Sequence, residues 1–566
     1  MKNKIIQGAQ AELLDQARTR LIWAVMFLMM GYLAVGLRLT DLTLLRQQAV
    51  VVETRGIKPS GQVLRRAIVD RNGTLMAASL TMASVYANTT MVDAPEELAT
   101  QLVRILPGQD GDDLLRKLSS GKEFVWIQRN ITPKQTEAIN ALGNPALGFQ
   151  DQARRIYPQG NLAAHVLGYT DVDGNGIAGM EKSSALSLAE KEPLYLSIDL
   201  RIQHALHREL GQAVVKFRAK AGIGMVMDVH TGEVIAMVSL PDFDPNHAGD
   251  ATDIQKFNRA TLGVFEMGST FKIFSTAAAL DSGLVNFSDT FDATDPIKQG
   301  RFTISDTHPK RRPLTVPEIF IYSSNIGTAK MAAAIGRIRL QDFYKALGFA
   351  VPAPLELSER AAPLYPSPWR DITTLTASFG HGIAVSPLHL IRAASGLVNG
   401  GIMPQSTLVK AEKKNSLPGK RVVNADASRR VRQLLELAVA SGTGANAFVE
   451  GYNVGGKTGT AEKNLRGGYQ RNALLSSFLG VFPMKNPRYA VLVMLDEPQG
   501  RQDTHGFATG GWTAAPVVAR VIEQMGPLYG IAPDLTRTRK DIEKEMGVYL
   551  KELKEGNSLA SLGTDN

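Results

Sequence analysis

The chain has 566 residues, 44% of them hydrophobic, so it has room for about two to four domains and at least one large core. It contains no cysteine, which excludes a disulfide framework and a cysteine-ligated metal site. The net charge of +9 is spread along the chain, which suits an anionic surface or polymer but gives no reason to expect a nucleic-acid partner.

The first predicted element is an apolar membrane anchor near the N-terminus. Residues 21–37 contain no charged side chain, which is short for a membrane span but long for a signal-peptide core. Basic side chains precede this stretch, namely Lys2, Lys4, Arg18 and Arg20. By the positive-inside rule, residues 1–20 are therefore expected to be a cytoplasmic tail. A cleaved signal is the competing interpretation, but the leading segment is long and contains acidic residues, so we expect a retained anchor over residues 21–39.

Residues 40–190 are predicted to form an extended pedestal of short strands, turns and one helix around residues 133–142. Nothing in this region points to chemistry. It does contain a Ser-x-x-Lys pattern at Ser119 and Lys122, but in a polar stretch with a glycine, where we expect a surface turn. A calcium-loop-like run at residues 171–176 has its glutamate one position early, so it too is expected to be a structural turn.

Residues 191–525 are predicted to form a second domain of the α+β class. A helix over residues 201–217 precedes a hairpin at residues 222–238, and a second hairpin at residues 475–495 precedes a helix at 513–523. Strands at both ends with helices between them favour an antiparallel sheet flanked by helices. Residues 526–566 are charged and weakly amphipathic, which predicts a solvated helix followed by a disordered tail.

The most informative motif of this second domain is Ser269-Thr270-Phe271-Lys272, at the head of the apolar run 273–280. A serine and a lysine three residues apart on a helix are neighbours on one face. A partly desolvated lysine amine can take the serine proton and make the hydroxyl a nucleophile. Two companions occur once each and downstream, Ser323-Ser324-Asn325 and Lys457-Thr458-Gly459-Thr460. The ordered triplet matches the active-site pattern of penicillin-interacting serine enzymes.

With these motifs, the chain resembles the class B penicillin-binding proteins, specifically the division-specific D,D-transpeptidases (FtsI or penicillin-binding protein 3 type). The resemblance covers about residues 20–525. Further segments carry it: residues 65–73 (RRAIVDRNG), 155–158 (RIYP), 176–181 (GIAGME), 231–233 (TGE), 266–268 (EMG) and 378–387 (SFGHGIAVSP). It implies a β-lactamase-like penicillin-binding domain on a pedestal of the dimerisation type.

The resemblance also implies a role for each motif residue. Ser269 would be the nucleophile, Lys272 its general base, and Ser323 with Lys457 the route of the proton to the leaving amine. Asn325 would hold a substrate amide and steady Lys272. Further roles follow for the Lys-Thr-Gly-Thr segment: Thr458 and Thr460 would bind the terminal carboxylate, and Gly459 would allow close approach on an edge strand. The oxyanion hole would come from the backbone N–H groups of Ser269 and Thr460. Ser324 is expected to be a helix N-cap or packing residue.

The expected activity is cross-linking of peptidoglycan stem peptides in septal wall synthesis through a serine acyl-enzyme, with β-lactams as covalent inhibitors. The alternatives are an elongation-type transpeptidase, a D,D-carboxypeptidase, or a penicillin-binding sensor or scaffold. Residues 451–458 also match a phosphate-binding loop, but the following glycine-rich residues predict no helix to receive a phosphate.

No metal or organic cofactor is expected. The implied partners are a SEDS-type membrane glycosyltransferase and other division proteins. The implied location is the inner membrane at the division site, with the catalytic domain in the periplasm.

Overall fold

The computed structural model describes residues 20–23, 25–33, 35–36, 65–186, 192–300, 302–411, 419–465 and 468–550. The chain divides into two units, residues 1–62 and residues 63–566. The described residues of the first unit, within 20–36, are helical and exposed, and the rest of the predicted anchor lies outside the described residues. Across the described ranges, no helix has both the length and the hydropathy that crossing a bilayer requires.

The second unit begins with a five-stranded sheet. Its strands are Ile68–Val69, Leu75–Ala87, Val125–Ile131, Leu147–Ile156 and Leu194–Tyr195. Neighbours are antiparallel, apart from the parallel pair of the first and last strands. The longer helices of this region are Pro95–Ile105, Gly111–Leu118 and Pro133–Asn140, with short turns at Thr89–Met91, Gly160–Ala163, Ala164–Leu167 and Gly179–Lys182. The predicted helix near residues 133–142 is thus confirmed, and Ser119 lies exposed just after a helix, as expected for a surface turn.

Three of the sequence segments that carry the family resemblance meet in one buried ion-pair network. Arg155 Nε donates to Glu181 Oε1 at 2.7 Å, and Arg65 Nε donates to Glu181 Oε2 at 2.8 Å. Glu181 is only 2% exposed, so both guanidinium groups are needed to compensate for the loss of water around its carboxylate. The network joins the two ends of the pedestal sequence. It therefore gives these three segments a structural role and no catalytic one.

The centre of the second domain is an antiparallel sheet, as predicted, and it has five strands. In spatial order its strands are Gly455–Leu465, Gly468–Phe482, Tyr489–Asp496, Ala221–Asp228 and Val234–Leu240. The first two strands in the sequence and the last three therefore form one sheet, and Gly455–Leu465 lies at its edge. Before this sheet, the strand Leu194–Tyr195 is short, and Asp199 then caps the helix Leu200–Lys216.

Both faces of this sheet are buried, because alternate side chains of each strand point to opposite sides. Val226 and Val493 pack in a core with the helices Leu200–Lys216 and Ala515–Leu528. Met225 and Met494 pack on the other side, against a cluster of helices. The cluster and its surroundings contain Asp253–Lys256, Lys272–Asp281, Val316–Ile321, Asn325–Ile335, Arg337–Ala346, Asp371–Ala377, Pro387–Val398 and Ala425–Ser441.

Short elements complete the domain. Three small hairpin-like pairs join Thr290–Asp292 with Pro313–Thr315, Ile297–Gln299 with Phe302–Ile304, and Ile402–Met403 with Lys420–Arg421. The short helical turns are Pro245–Asp250, Gly268–Phe271, Ala445–Ala447, Gln502–Thr504, Gly510–Thr513 and Gly547–Tyr549.

The prediction of a solvated C-terminal helix is wrong. The helix Arg539–Met546 packs on the helix Ala425–Ser441, and Ile542, Met546 and Leu550 are at most 4% exposed. Ile542 and Met546 are four residues apart and so lie on one face of this helix, while Leu550, after the following turn, belongs to the same core. Beside these residues, Arg537 makes two 2.6 Å hydrogen bonds to the buried carboxylate of Glu436. The predicted disordered tail, residues 551–566, lies outside the described residues.

Replacing Met546 with alanine should lower the thermal midpoint of unfolding, because a cavity in this contact costs about 2 to 5 kcal/mol. Ile338→Ala is the control, since Ile338 also lies on a helix but is 68% exposed. Calorimetry of both variants measures the difference. Equal midpoints would mean that the C-terminal helix contributes nothing to the stability of the domain.

Candidate active site

Ser269 lies in a short 3-10 turn, Gly268–Phe271, which leads directly into the buried helix Lys272–Asp281. Every residue of this helix from 272 to 280 is buried, as the apolar run predicts. Phe271 and Phe274 anchor its first turn, because their rings lie 5.1 and 5.0 Å from the ring of Phe349. The hydroxyl of Ser269 is therefore presented by a turn whose apolar side chains are packed on the core.

Lys272 brings its amine to two serines. Its Nζ lies 3.1 Å from Ser269 Oγ and 3.0 Å from Ser323 Oγ, and it also donates to the Ser323 carbonyl oxygen. The side chain is completely buried. Burial, reinforced by the nearby charge of Lys457, holds the pKa of the Lys272 amine well below its ordinary value. A neutral amine beside a serine hydroxyl can act as a general base.

Lys457 reaches the same serine from the opposite side. Its Nζ lies 3.0 Å from Ser323 Oγ, and its side chain is also completely buried. Burial lowers the pKa of Lys457 to about 7. The Ser323 hydroxyl therefore bridges two lysines from different motifs, and it can relay a proton between them because a hydroxyl both donates and accepts.

Ser323 adopts a left-handed backbone conformation, with φ of +56°, which is uncommon for a residue with a side chain. The following residue, Ser324, caps the helix Asn325–Ile335 by accepting a hydrogen bond from Gly327 N at 2.9 Å. The expectation that Ser324 is an N-cap is confirmed. The cap and the left-handed turn together place Ser323, and not Ser324, between the lysines.

Asn325 is placed at the first position of that helix. Its Nδ2 donates to the Ser305 carbonyl oxygen at 3.0 Å, and its backbone N–H donates to Asp306 Oδ1 at 2.5 Å. Its amide is thus bonded to the adjacent loop and makes no hydrogen bond to Lys272 among those described. The predicted role of Asn325 toward substrate stays a prediction. Sequence reasoning missed Asp306, because no spacing rule links it to the Ser-x-Asn motif.

The Lys-Thr-Gly-Thr segment lies on the edge strand Gly455–Leu465, as predicted. Thr458 Oγ1 shares a 2.8 Å hydrogen bond with Thr443 Oγ1, and Thr460 Oγ1 accepts one from Gly510 N at 3.3 Å. Thr443 comes from the loop after the helix Ala425–Ser441, so it is a further hydroxyl at this edge that the sequence analysis missed. A phosphate-binding loop is excluded here, because residues 455–458 continue as a strand and no helix follows them.

Close backbone contacts hold the nucleophile turn against this strand. A Cβ atom on Gly459 would lie 2.4 Å from Ser477 Oγ and 2.8 Å from the Met267 carbonyl oxygen. A Cβ atom on Gly380, which has φ of +83°, would lie 2.3 Å from the Gly268 carbonyl oxygen. Both positions therefore require glycine. At Gly459, one of the groups that come too close for a side chain belongs to the chain just before the turn of Ser269.

Glu266 stabilises the same region, since its Oε1 accepts a hydrogen bond from Gly382 N at 2.9 Å. This contact agrees with the expectation that Glu266 orders the turn before the nucleophile. The neighbouring His381 is also partly buried near the site, and burial, with a smaller contribution from Lys272, lowers the pKa of His381 to about 4. Within the described ranges, no group of three or more His, Cys, Asp or Glu side chains is arranged to hold a metal ion.

Comparisons with known proteins agree with this geometry. The family described as penicillin binding protein transpeptidase domain matches residues 222–523, and the penicillin-binding protein dimerisation domain matches residues 61–190. The chain is 42% identical over 480 residues to the probable peptidoglycan D,D-transpeptidase FtsI of Caulobacter vibrioides, covering 82% of this chain and 81% of that one. It is 30% identical over 514 residues to the peptidoglycan D,D-transpeptidase FtsI of Escherichia coli, covering 84% and 85%.

A solved structure is similar over most of the chain. The crystal structure of penicillin binding protein 3 from Mycobacterium tuberculosis, complexed with aztreonam, has a TM-score of 0.65 and 25% identity. The similarity covers 83% of this chain and 97% of that one.

Burial of Lys457 should make folding stability depend on pH. Its pKa is about 7 in the folded protein against 10.5 ordinarily, so between these values the unfolded chain binds more protons. The contribution of Lys457 to stability is therefore complete above about pH 10.5 and is lost as the pH falls through about 7. We expect the thermal midpoint to rise less between these pH values in Lys457→Met than in the wild type. The control is Lys485→Met, because that lysine is 78% exposed. Equal slopes in wild type and Lys457→Met would contradict the prediction.

Proposed function

The chain belongs to the penicillin-binding protein transpeptidases, and on that premise we propose that it is a serine-type peptidoglycan D,D-transpeptidase that cross-links stem peptides in septal wall synthesis. One observation carries the proposal: the Ser323 hydroxyl lies 3.0 Å from both Lys272 Nζ and Lys457 Nζ, and Lys272 also contacts Ser269. This is a nucleophile with a desolvated base and a path for its proton.

In acylation, Ser269 Oγ attacks the carbonyl carbon of the penultimate D-alanine, and its proton passes to the neutral Lys272 amine. The tetrahedral intermediate then collapses, the peptide bond to the terminal D-alanine breaks, and the departing amine takes a proton. Ser323 and Lys457 supply that proton, because the Ser323 hydroxyl contacts both amines. The products are free D-alanine and an ester on Ser269.

The edge strand supplies the binding surface for the donor stem. An extended peptide can add beside the strand Gly455–Leu465, since edge strands have unpaired backbone groups. Thr458 and Thr460 bind the terminal carboxylate in this proposal, next to the positive potential of Lys457. The backbone N–H groups of Ser269 and Thr460 receive the oxyanion, and a donor of this kind contributes about 3 kcal/mol to transition-state stabilisation.

In the second half-reaction, the amine of a neighbouring stem attacks the ester and releases Ser269. A β-lactam imitates the D-alanyl-D-alanine end and leaves a stable penicilloyl ester on the same serine. A D,D-carboxypeptidase would use water in this step, and a sensor or scaffold would stop at the ester. An elongation-type transpeptidase would perform the same chemistry at a different place in the cell.

The cellular setting completes the proposal. Residues 1–20 are the cytoplasmic tail, 21–39 the membrane anchor, 40–190 the pedestal and 191–525 the periplasmic transpeptidase domain. Residues 526–566 are the charged C-terminal helix and tail. The division-site partners are a SEDS-type membrane glycosyltransferase, which would polymerise the glycan strands that this chain cross-links, and other division proteins. Co-purification tests that partnership: the glycosyltransferase should be retained by the full chain, and a chain that lacks residues 40–190 shows whether the pedestal is needed.

Labelling with a fluorescent penicillin tests the nucleophile. We expect wild type to give a covalent band that Ser269→Ala abolishes, because the ester needs the Ser269 oxygen. Ser119→Ala is the matched control, since it removes the other Ser-x-x-Lys serine and should label like wild type. A band that persists in Ser269→Ala would refute the assignment of the nucleophile.

The same preparation separates the alternative activities. With a stem peptide ending in D-alanyl-D-alanine and an amine acceptor, mass spectrometry should detect the cross-linked product. A hydrolysed stem alone would indicate a D,D-carboxypeptidase, and labelling without either product would indicate a sensor.

Deleting residues 21–39 tests the anchor. The full chain should sediment with membranes and be released by detergent, whereas the shortened chain should stay in the supernatant and still label with penicillin. Equal sedimentation of both chains would contradict a membrane anchor at these residues.

A further inference from the structure

We propose that Asp306 is a positioning residue of the active site, whose carboxylate holds the Ser323–Asn325 turn in its reactive shape and sets a negative charge close to Lys272. The inference rests on the proposed function, because it assigns a task within the same acylation step. Asp306 lies outside the three motifs, in the loop between the strand Phe302–Ile304 and the strand Pro313–Thr315.

Three hydrogen bonds converge on this carboxylate. Ser324 Oγ donates to Asp306 Oδ2 at 2.7 Å, while Asn325 N and Ile326 N donate to Oδ1 at 2.5 and 3.0 Å. The two backbone N–H groups are free at the start of the helix Asn325–Ile335, where a carboxylate is a favourable partner. Asp306 therefore supplies a second cap to a helix that Ser324 already caps.

The second cap stabilises the unfavourable backbone conformation of Ser323. Ser323, immediately before the cap, has φ of +56°, a conformation that costs free energy for a residue with a side chain. Its hydroxyl must nevertheless stay within 3.0 Å of both lysine amines. Bonds from Asp306 to the next three residues keep the chain in this conformation, because relaxation of Ser323 would move all three donors.

The loop that carries Asp306 is itself held on both sides. Ile304 is 6% exposed and packs with Ala329 of the same helix. Farther along, Arg312 makes hydrogen bonds of 2.9 and 3.0 Å to the carboxylate of Glu318. With the 3.0 Å bond from Asn325 Nδ2 to the Ser305 carbonyl, these contacts leave the Asp306 carboxylate little freedom to move.

Charge gives Asp306 a second effect on the site. Two charged groups act on the buried Lys272 amine, Lys457 from the edge strand and Asp306. His381, which follows the helix Asp371–Ala377, also faces this amine, but burial lowers the pKa of His381 to about 4, so its ring adds no charge at neutral pH. Burial and Lys457 lower the pKa of Lys272, whereas Asp306 raises it. Removing the Asp306 charge should therefore lower that pKa further and extend the neutral form of the base to lower pH.

Stopped-flow acylation by a fluorescent penicillin, followed across pH, tests the inference with three variants of the full chain. Asp306→Ala removes the hydrogen bonds and the charge, Asp306→Asn removes the charge but keeps an amide oxygen for the two N–H groups, and Asp306→Glu keeps the charge. Asp110→Ala is the matched control, since Asp110 caps the pedestal helix Gly111–Leu118 by accepting from Asp112 N at 3.1 Å.

We expect Asp306→Ala to acylate at least about ten-fold more slowly than Asp110→Ala, because small displacements of catalytic groups cost up to about 100-fold in rate. On the acidic side of the pH profile, the acylation rate falls as Lys272 becomes protonated, and we call this fall the acid limb. We expect Asp306→Asn to move the acid limb to lower pH, and Asp306→Glu to leave it at the pH of the wild type. A general loss of stability would lower the amount of active protein without moving this limb.

Two results would overturn the inference: wild-type acylation by Asp306→Ala, or an acid limb that does not move in Asp306→Asn. An Asp306→Glu limb displaced like that of Asp306→Asn would also count against it. Failure of the proposed function is distinguishable, since wild type itself would then not be labelled at Ser269.

Discussion

The constraint on which this site depends is the burial of two lysines around one serine hydroxyl. Lys272 and Lys457 are completely buried, and each places its Nζ 3.0 Å from Ser323 Oγ. Two ammonium groups cannot both stay charged so close together away from water, so desolvation and mutual repulsion favour the neutral amine. Burial therefore makes each amine a weaker base, but it leaves more of the amine unprotonated and able to accept a proton near neutral pH. Ser269 needs only to lie within reach of Lys272, at 3.1 Å.

The scaffold explains how such an unfavourable arrangement persists. Lys272 begins a helix whose apolar side chains fill the core, and Lys457 is on a strand that is hydrogen-bonded to its neighbour. Both elements gain enough from burial and pairing to hold one desolvated amine each. The strand at Gly459 and the loop at Gly380 both approach the turn of Ser269 so closely that a Cβ atom at either glycine would clash. Ser323, between the two lysines, has a strained backbone conformation. The helix that follows it is capped by Ser324, which is itself hydrogen-bonded to Asp306.

Away from the active site, buried ion pairs join segments that are distant in the sequence. The buried carboxylate of Glu181 links two arginines of the pedestal, and that of Glu436 pairs with Arg537 from the C-terminal segment. The second pair joins a segment beyond the matched transpeptidase family region to the helix that leads to Thr443. The C-terminal helix therefore supports the helix that leads to Thr443 at the edge strand, and its few apolar residues pack there beside the Arg537–Glu436 ion pair.

The sequence by itself determined the family, the three motifs, the α+β class and the antiparallel hairpins, because each depends on short-range spacing or on a periodic apolar pattern. It also separated Ser269 from Ser119, since only one lies before an apolar helical run. Only the tertiary structure decided what brings Asp306 and Thr443 to the site, why Gly459 must be glycine, and where the C-terminal helix packs. These depend on contacts between residues far apart in the chain, and the burial that turns a lysine into a base exists only when those contacts have formed.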